Sequence, residues 1–387
     1  MKKFTEDLNL NIDRVSTNIV NWFKENAREL PWRETENPYY ILISEIMLQQ
    51  TQVSTVIPYY LRFIETLPTL EKLSQATEEQ LHFLWQGLGY YSRVYRLQQF
   101  ALIIVNEHQG IIPDNKEQLI KLPGIGPYTC GALLSFAFHQ KEPAVDGNVK
   151  RVIARLLCDD RDMMKQATIT DLTYVVRMLI PEDPYSFNQG LIELGALICK
   201  PLNPECGKCP IKNDCLAYRN EETERIPVKK KKQKQKVYNL PVLIIEEEGE
   251  ILFVKRKTSG LLSNLWGLPA LETDASRNMK VDGHEPRVNS TQNEMEEFHK
   301  SVEFDLKEYI NIELGIFIKE KICYIGHVKH VFSHVIWEQY IYCIKVKGYK
   351  KRLKDVESPK IRWATEESIS IPTAFKKTLK VYNNACV

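Results

Sequence analysis

The stretch Leu119–Phe138, LIKLPGIGPYTCGALLSFAF, has an apolar segment on each side of a turn built on Gly124 and Gly126. Pro127 suits the first position of a new helix after this turn. The two glycines allow close backbone approach, and the free N–H groups at the start of the second helix form an anion site. The stretch therefore predicts a helical hairpin that binds a phosphate, or a turn that only joins two helices.

Helical patterns extend on both sides of this hairpin. From residue 15 to about 220 the apolar residues are spaced three and four apart, with breaks at prolines. A run with six lysines between 229 and 236 follows, and such a charge run cannot pack and is typical of a linker. We therefore predict a helical domain over 1–227, a basic linker over 228–238 and a second domain over 239–387.

The second domain has short β-rich runs instead of helical patterns. PVLIIEEEGEILFVKRK predicts a hairpin around Glu248 and Gly249, and HVFSHVIWEQYIYCIKV predicts one longer, half-buried strand. A helical pattern over 293–310 lies between them, and the polar stretch 273–292 predicts a surface loop. The second domain is therefore expected to be α+β.

The composition is that of an ordinary globular protein. The 387 residues are 43% hydrophobic and 26% charged, and the net charge of +2 argues neither for nor against nucleic acid, because clustering of Lys and Arg decides that question. The start, MKKFTEDLNLNIDRV, lacks the apolar core of a signal peptide, and the chain has no apolar run of membrane-spanning length. We therefore expect a cytoplasmic protein without a membrane segment.

Four of the nine cysteines lie close together in the sequence. Cys199, Cys206, Cys209 and Cys215 are separated by six, two and five residues, whereas the others are scattered. Thiolates in such a loop can converge on tetrahedral zinc or on an iron-sulfur cube, and one Cys-x-x-Cys pair with wide flanks favours the cube. The pattern predicts a metal site in a reducing cell interior and not a disulfide framework.

Two carboxylates have contrasting settings. Glu45 lies in YYILISEIMLQQTQV, where Asn37 and Pro38 form a helix-start signal and the apolar run indicates a buried helix. Asp146, in AVDGNVKRVIARLL, precedes a helix and so meets backbone N–H groups and the positive end of the helix dipole. Burial weakens the acidity of the first, and the helix start is expected to strengthen that of the second. Seen alone, Asp146 is better explained as a helix cap and nothing more. Its contrast with Glu45 changes this, because such a pair supplies one site with an acid and an anion.

These motifs occur in one order, SEIMLQQTQV, LPGIGPYTCGA, AVDGNVKRV and the cysteine loop, and together they resemble the helix-hairpin-helix DNA glycosylases. The resemblance continues through ELPWR, GLGYYSR, ELGALIC and FSH, covers nearly the whole chain, and is strongest to the members that remove adenine. It implies a multidomain protein: an all-α helix-hairpin-helix glycosylase domain with an iron-sulfur cluster loop, then an α+β Nudix-like domain. Members that also cut the DNA backbone carry a lysine where this sequence has Tyr128. A phenol cannot form a Schiff base, so a monofunctional glycosylase is expected.

The resemblance implies roles for individual residues. The four cysteines would hold a 4Fe-4S cluster. Glu45 would donate a proton to N7 of an extruded adenine, Asp146 would stabilise the oxocarbenium-like sugar, and Tyr128 and Asn148 would position groups around that centre. The expected contacts with base or DNA are Trp32, Arg33 and Gln189 at the adenine, Gln50 and Tyr90 in the base stack, Thr51 and Leu88 near 8-oxoguanine, and Gly124 and Gly126 at a phosphate. Without the resemblance, Gln50 would be read as a surface amide and Tyr90 as a core aromatic.

The second domain resembles the Nudix-like module that recognises 8-oxoguanine in these enzymes. A hydrolytic Nudix site needs an Arg-Glu-x-x-Glu-Glu core to hold magnesium, and the candidate helix NEMEEFHKSVEF lacks it. Recognition without hydrolysis is therefore expected, through Phe332, Ser333 and His334 at the turn into the strand. The alternative is that these are strand residues that face solvent.

The implied substrate is double-stranded DNA in which adenine is mispaired with 8-oxoguanine or guanine. A monomer is expected, with replication or repair proteins as further partners. Two alternatives stay open. One is an endonuclease III-like glycosylase and lyase for oxidised pyrimidines, which Tyr128 and the second domain disfavour; the other is a damage-sensing module, which would need neither Glu45 nor Asp146.

Overall fold

The structure, a computed structural model, describes residues 10–228, 235–257, 260–271, 292–332, 334–350 and 360–385. The predicted loop at 273–292, apart from its last residue, and the candidate contact Ser333 lie outside the described residues. The chain divides into two compact units, Met1–Lys232 and Gln233–Val387. Within the described ranges, no helix combines the length and the apolar character needed to cross a membrane.

The first unit is helical, as predicted. Its helices are, in chain order, α1 (Ile12–Asn26), α2 (Pro38–Leu48), α3 (Val53–Thr66), α4 (Leu70–Ser74), α5 (Glu78–Trp85), α6 (Ser92–Glu107), α7 (Lys116–Leu119), α8 (Pro127–Phe136), α9 (Gly147–Leu156), α10 (Gln166–Leu179), α11 (Pro184–Leu197) and α12 (Leu216–Arg219). Short 3-10 turns lie at Pro31–Arg33 and Cys206–Lys208.

Two groups of helices make up this unit. In one group α2 packs against α3 and α6, and the fully buried side chains include Phe63, Trp85 and Phe100. In the other, α1, α9, α10 and α11 surround a core that includes Ile19 and Leu191. Helix α8 contacts both α2 and α11, so residues from the two groups meet beside it.

Helix α2 is enclosed by the protein. Asn37 caps it by accepting a hydrogen bond from the N–H of Tyr39 at 2.9 Å, and Pro38 takes the first position, as predicted. Every residue from Ile41 to Met47 is buried, and Glu45 among them is 5% exposed. The predicted burial of this carboxylate is confirmed.

The glycine hairpin joins α7 to α8. Gly124 has a φ of 81°, a left-handed conformation that favours glycine, and a Cβ there would lie 3.3 Å from Cβ of Arg96. Gly126 caps α8 with an extended backbone, and a Cβ there would meet no atom within 4 Å. The turn's backbone therefore requires the first glycine, whereas the second leaves open space beside the N–H groups at the start of α8.

The second unit is a mixed sheet between two helices. Its elements are β1 (Lys236–Glu247), β2 (Glu250–Lys255), β3 (Trp266–Gly267), α13 (Gln292–Leu314), β4 (Cys323–Val331), β5 (Val335–Lys345), β6 (Ile361–Ala364) and α14 (Thr373–Ala385). The strand order is β3-β2-β1-β5-β4, with β6 also paired to β2; β1 and β5 are parallel, and the other pairs are antiparallel. One face packs on α14 through Phe375 and Leu379, and the other packs on α13 through Leu306 and Ile310. The predicted α+β class is confirmed.

The structure adds detail to two boundaries in the second unit. Strand β1 begins at Lys236, inside the predicted linker 228–238, because its first residues pair with the start of β5 at Val335. The predicted longer strand is β5, which begins at Val335 after the predicted turn, and the residues before the turn belong to a separate antiparallel strand, β4, that ends at Val331. The predicted hairpin between β1 and β2 is confirmed. The predicted domain bounds stay a prediction.

Gly131 on α8 lets this helix approach the segment that precedes Asp146. An added Cβ at Gly131 would lie 2.1 Å from the carbonyl oxygen of Pro143 and 2.8 Å from its carbonyl carbon. Both atoms belong to the backbone, so neither can move aside without displacing the segment. We expect Gly131→Ala to lower the free energy of unfolding by roughly 1–3 kcal/mol, measured by denaturant unfolding.

Gly147→Ala is the matched control. Gly147 is the first residue of α9, and a Cβ there would meet no atom within 4 Å. This alanine should leave stability unchanged or raise it by up to about 1 kcal/mol, because it restricts the unfolded chain. Equal unfolding free energies for the two variants would contradict the close approach at Gly131.

Candidate active site

The buried carboxyl of Glu45 is paired with a phenol. The hydroxyl of Tyr128, on α8, donates a hydrogen bond to Oε2 of Glu45 at 2.6 Å. Burial raises the pKa of Glu45 from 4.5 to about 7; the Tyr128 hydrogen bond and the charge of Arg33 act against this rise, and the charge of Asp146 adds to it. Burial also raises the pKa of Tyr128 well above its ordinary value, so the phenol stays a donor. Glu45 can therefore carry a proton near neutral pH.

Asp146 caps α9 and is oriented by two donors. The N–H of Val149 donates to its Oδ1 at 2.8 Å, and the side-chain amide of Asn148 donates to its Oδ2 at 2.9 Å. Burial raises the pKa of Asp146 above its ordinary value, although these hydrogen bonds and the charge of Arg151 act to lower it. The predicted cap is confirmed. The prediction that the helix start would strengthen the acidity of Asp146 is wrong, because burial outweighs the donors.

Arg151 connects this carboxylate to the cysteine loop. Its Nη2 donates to Oδ1 of Asn148 and to the carbonyl of Gly195, and its Nε donates to the carbonyl of Cys199, each at 2.8 Å. Gly195 permits the close packing of α9 on α11, since a Cβ there would lie 2.6 Å from Cβ of Asn148. One side chain therefore links the amide that holds Asp146 to the first of the four predicted metal ligands.

The four predicted ligands, Cys199, Cys206, Cys209 and Cys215, line one cavity. Burial, with a contribution from the charges of the other cysteines, raises the pKa of Cys209 to about 12 and that of Cys215 to about 11. Within the described part of the chain, no three His, Cys, Asp or Glu side chains are arranged to hold a single metal ion. Four thiols around one cavity nevertheless fit, as a donor set, a group that is bound by all four.

A second buried carboxylate binds two arginines. Glu193 on α11 is fully buried and accepts hydrogen bonds from Arg28 at 2.7 Å and from Arg33 at 3.0 Å. Burial alone would raise the pKa of Glu193, but hydrogen bonds and charges from the two guanidinium groups lower it to about 2. Arg33 also donates to Oε1 of Gln189 at 3.0 Å. The structure therefore brings together Arg33 and Gln189, two of the three candidates for the adenine pocket.

The third pocket candidate, Trp32, lies in the turn that follows Arg28. It is 5% exposed and packs edge-on against Tyr60, with ring centroids 5.3 Å apart. A groove of about 860 Å³ is lined by residues 27–30, residues 52–54, Ile57 and Ala196. Arg28 thus belongs both to this groove and to the Glu193 cluster.

Gln50 and Tyr90 meet at the tips of two loops. The hydroxyl of Tyr90 donates to Oε1 of Gln50 at 2.7 Å. Both residues have a positive φ, 59° for Gln50 and 48° for Tyr90, which is uncommon for residues other than glycine. Tyr90 is 46% exposed, so it is not a core aromatic. Of the other two candidates in these loops, Thr51 is partly exposed and Leu88 is 6% exposed.

The candidates in the second unit flank the turn between β4 and β5. The ring of Phe332 lies 4.6 Å from that of His330 and 4.8 Å from that of Trp337, measured between centroids. The Gln235 side chain donates to the carbonyl of Phe332 at 2.6 Å. His334 is exposed, and Ser333 lies outside the described residues.

Comparison with known proteins shows where this chain belongs. Residues 43–177 match the model of the HhH-GPD superfamily base excision DNA repair proteins, and residues 241–381 match that of the NUDIX domain. The chain is 31% identical to the adenine DNA glycosylase of Homo sapiens, over 94% of this chain and 73% of the human protein. It belongs to the adenine DNA glycosylase family. The adenine DNA glycosylase of Buchnera aphidicola subsp. Baizongia pistaciae (strain Bp) is 39% identical, over 65% of this chain and 72% of that protein.

Among solved structures, that of a thermostable thymine-DNA glycosylase is 29% identical, with a TM-score of 0.49, and covers 53% of this chain and 95% of that one. Membership of the adenine DNA glycosylase family makes the protein a DNA-binding glycosylase of base excision repair. The predicted fold class, a helix-hairpin-helix glycosylase domain followed by a Nudix domain, is confirmed.

Several polar residues that hold the site were not singled out from the sequence. They are Arg28, Arg151, Glu193 and also Arg93, which is buried and donates to the carbonyls of Met47 and Gln49. Three of these lie in motifs that carried the resemblance: GLGYYSR, AVDGNVKRV and ELGALIC. Each of these three is a charged residue inside an apolar or glycine-rich motif, and this could have drawn attention to it. Periodicity alone, however, does not distinguish a buried charged side chain from a solvated one.

The raised pKa of Glu45 makes the stability of the protein depend on pH. A pKa of about 7 in the folded state against an ordinary value of 4.5 means that the folded protein holds this proton more tightly than the unfolded chain. The stability that Glu45 contributes is full below the ordinary pKa and is lost as the pH rises through the folded one, by roughly 3 kcal/mol. Glu45→Gln stays neutral, so it should exceed the wild type in unfolding free energy by about that amount near pH 8.

This advantage of Glu45→Gln should shrink as the pH falls toward 4.5, the ordinary pKa of the carboxyl. Tyr128→Phe provides a second check. The Tyr128 hydrogen bond lowers the pKa of Glu45, so its removal should raise that pKa further and extend the loss of stability to higher pH. An advantage of Glu45→Gln that is the same in acid and in base would contradict the raised pKa.

Proposed function

We propose that this protein is a monofunctional adenine DNA glycosylase that removes adenine mispaired with 8-oxoguanine or guanine. The observation that carries the proposal is the buried Glu45–Tyr128 pair near Asp146: a carboxyl with a pKa of about 7 together with a second carboxylate held by hydrogen-bond donors. The names of the human and Buchnera relatives support adenine as the base.

Glu45 acts as the general acid. The target adenine is extruded from the duplex, because it cannot be reached inside the stack. The carboxyl proton passes to N7, the bond between N9 and C1′ breaks, and its electron pair leaves with the base. Glu45 becomes a carboxylate in this step, and the hydrogen bond from the Tyr128 hydroxyl stabilises that carboxylate.

Asp146 stabilises the positive charge that develops on the sugar. Its burial strengthens this attraction, because the surroundings screen charge less than water does. The Val149 N–H and the Asn148 amide keep its two oxygens oriented. Water then adds to C1′ and releases a proton to a carboxylate of the site, which leaves an abasic sugar in the strand.

Tyr128 occupies the position at which lyases of this superfamily carry a lysine. A phenol has no amine that could form a Schiff base with the sugar. The raised pKa of Tyr128 keeps it protonated, which suits a hydrogen-bond donor and not a nucleophile. The proposed product is therefore an uncut strand with an abasic site.

The remaining candidates of the first unit bind the base and the DNA. The contact between Arg33 and Gln189, and the nearby Trp32, support an adenine pocket at these residues. The other proposed contacts are Gln50 and Tyr90 in the base stack, Thr51 and Leu88 near 8-oxoguanine, and Gly124 and Gly126 at a phosphate.

The second unit is proposed to recognise 8-oxoguanine through Phe332, Ser333 and His334, without hydrolysing a nucleotide. The exposure of His334 after the turn from β4 supports a contact there. The proposed setting is a cytoplasmic monomer on double-stranded DNA, with replication or repair proteins as partners.

A 4Fe-4S cluster is proposed to be held by Cys199, Cys206, Cys209 and Cys215. When bound, it would cross-link these four positions of the loop and could carry an electron. The cavity that all four line supports this assignment. The chain's own contribution is to fix the loop. Arg155 donates to Sγ of Cys199 at 3.3 Å, and Arg151 donates both to the carbonyl of Cys199 and to the side chain of Asn148.

Base release from duplexes with adenine opposite 8-oxoguanine, guanine or cytosine tests the function. We expect release opposite the first two and little opposite cytosine, with a rate that falls as the pH rises through the Glu45 pKa of about 7. Glu45→Gln should lower the single-turnover rate by at least about 100-fold and still bind the mispaired duplex.

Glu65→Gln makes the same chemical change on an exposed position of α3 and should leave the rate unchanged. Borohydride trapping of a covalent adduct would assign the protein to the lyases. Binding of the mispaired duplex without any release of adenine would favour a damage-sensing module instead. Full turnover by Glu45→Gln would remove Glu45 from the mechanism.

Metal analysis tests the cysteine loop. We expect about four irons per chain and an absorbance shoulder near roughly 400 nm. Cys209→Ser should lower both, whereas Cys323→Ser, at an exposed cysteine outside the loop, should keep them. One equivalent of zinc in place of iron would contradict the cluster.

A further inference from the structure

Arg93, the second residue of α6, holds the end of α2 with one buried side chain. Its Nη1 donates to the carbonyls of Ile46, Met47 and Gln49 at 2.8, 3.0 and 2.7 Å. These carbonyls belong to the last turn of the helix, where they lack partners within the helix and where a cation is favoured. The contacts therefore fix the chain immediately before Gln50.

The same guanidinium group holds a second loop. Its Nη2 donates to the carbonyls of Leu88 and Gly89 at 3.1 and 3.2 Å. The Trp85 indole N–H donates to the Gly89 carbonyl as well, at 3.2 Å. The chain is therefore also fixed immediately before Tyr90, and one side chain spans the two loops.

The two loop tips need such support. Gln50 and Tyr90 both adopt left-handed backbone conformations, which cost a residue other than glycine on the order of 1–2 kcal/mol and persist only where the surroundings impose them. The hydrogen bond between the Tyr90 hydroxyl and the Gln50 side chain joins the tips directly. That bond lies at an exposed position, so on its own it cannot hold either backbone.

We propose that Arg93 is a positioning residue that presents Gln50 and Tyr90 as one rigid unit to the base stack. This inference rests on the proposed function, because it assumes that these two side chains enter the stack. An arginine is required, since its planar fork donates in two directions at once, whereas a lysine ammonium is a single point on a flexible stem. Preorganised tips lower the ordering cost of opening the duplex.

Arg93→Lys, which keeps the charge and loses the fork, tests the proposal on two duplexes. One carries adenine opposite 8-oxoguanine; the other carries adenine opposite an abasic site, where no base pair has to be broken. We expect the single-turnover rate of Arg93→Lys relative to wild type to fall roughly 10- to 100-fold on the first duplex and far less on the second. An equal loss on both duplexes would overturn the proposal.

Fluorescence reports the opening step itself. A 2-aminopurine placed beside the target adenine brightens when the stack opens, and Glu45→Gln in the background stops base release. We expect Arg93→Lys to reduce this increase in fluorescence on the 8-oxoguanine duplex. An unchanged increase would overturn the proposal, because the stack would then open equally well without the arginine fork.

A double-mutant cycle with Tyr90→Ala separates this inference from the proposed function. If Arg93 acts partly through the Tyr90 tip, the loss of rate in the double variant should be smaller than the product of the two single losses. A Tyr90→Ala variant with full activity would contradict the role proposed for Tyr90. Two outcomes would overturn only the role of Arg93. In one, Tyr90→Ala is slow but Arg93→Lys is fully active; in the other, both single variants are slow and their losses multiply in the double variant.

Arg62→Lys is the matched control. Arg62, on α3, donates to the carbonyl of Leu84 at 3.3 Å and lies over the rings of Tyr59 and Phe83. It is an arginine that binds a helix-end carbonyl next to aromatic rings, as Arg93 does, but at a carbonyl outside both tips. Its replacement should leave the ratio between the two duplexes unchanged.

Gly89→Ala keeps the proposal testable if Arg93→Lys folds poorly. Gly89 has a φ of 71°, and a Cβ there would meet no atom within 4 Å, so alanine has room but strains the backbone of this loop while Arg93 stays in place. The same loss confined to the paired duplex is expected. A loss of equal size on both duplexes would show that the loop geometry does not serve the opening step.

Discussion

The burial of Glu45 is the constraint on which the rest of the first unit depends. A carboxylate inside an apolar helix is costly when charged, and here the cost is large enough to raise its pKa to about 7. Helix α2 must stay enclosed for that to hold, and α8 must bring the Tyr128 hydroxyl within 2.6 Å of the carboxyl. Gly131 permits the close packing of α8 on the segment at Pro143, which leads to Asp146. The packing of α2, of α8 and of the segment before Asp146 thus serves to keep one carboxyl away from water.

Burial alone does not decide what a carboxylate can do in this protein. Glu45 and Glu193 are buried and Asp146 is partly buried, yet their neighbours differ in kind. Glu193 meets two guanidinium groups, and its pKa is about 2, so it is a fixed anion that positions Arg28 and Arg33. Glu45 meets one phenol, a weaker donor, and keeps its proton close to neutral pH. The number and charge of the donors around a buried carboxylate therefore decide whether it is a fixed anion or can hold a proton near neutral pH.

The features that could be predicted from the sequence are those that local chemistry decides. Asn37 with Pro38 starts a helix, Asp146 caps another, and an uninterrupted apolar run buries Glu45, because each signal is complete within a few residues. The pKa direction of Asp146 could not be predicted in this way, since the competing burial comes from elements far away in the chain. Arg28 and Glu193, 165 residues apart, illustrate the same limit. The turn before β5 was predicted at Phe332 and His334, but β4 itself was not, because its residues are exposed or only partly buried and give no strand signal.

The two sets of loop residues that are proposed to contact DNA are stabilised in different ways. In the first unit, loop tips with positive φ are held by an arginine that satisfies the free carbonyls of a helix end and of a loop. In the second, the turn after β4 is held by ring packing on Phe332 and by the Gln235 side chain at its carbonyl. Hydrogen bonds to carbonyls fix direction as well as distance, whereas ring packing tolerates small rotations. The proposed opening of a base stack requires tips that resist displacement, and directed bonds from a buried cation provide that resistance. The proposed reading of a base at the second unit requires less rigidity, which packing alone can provide.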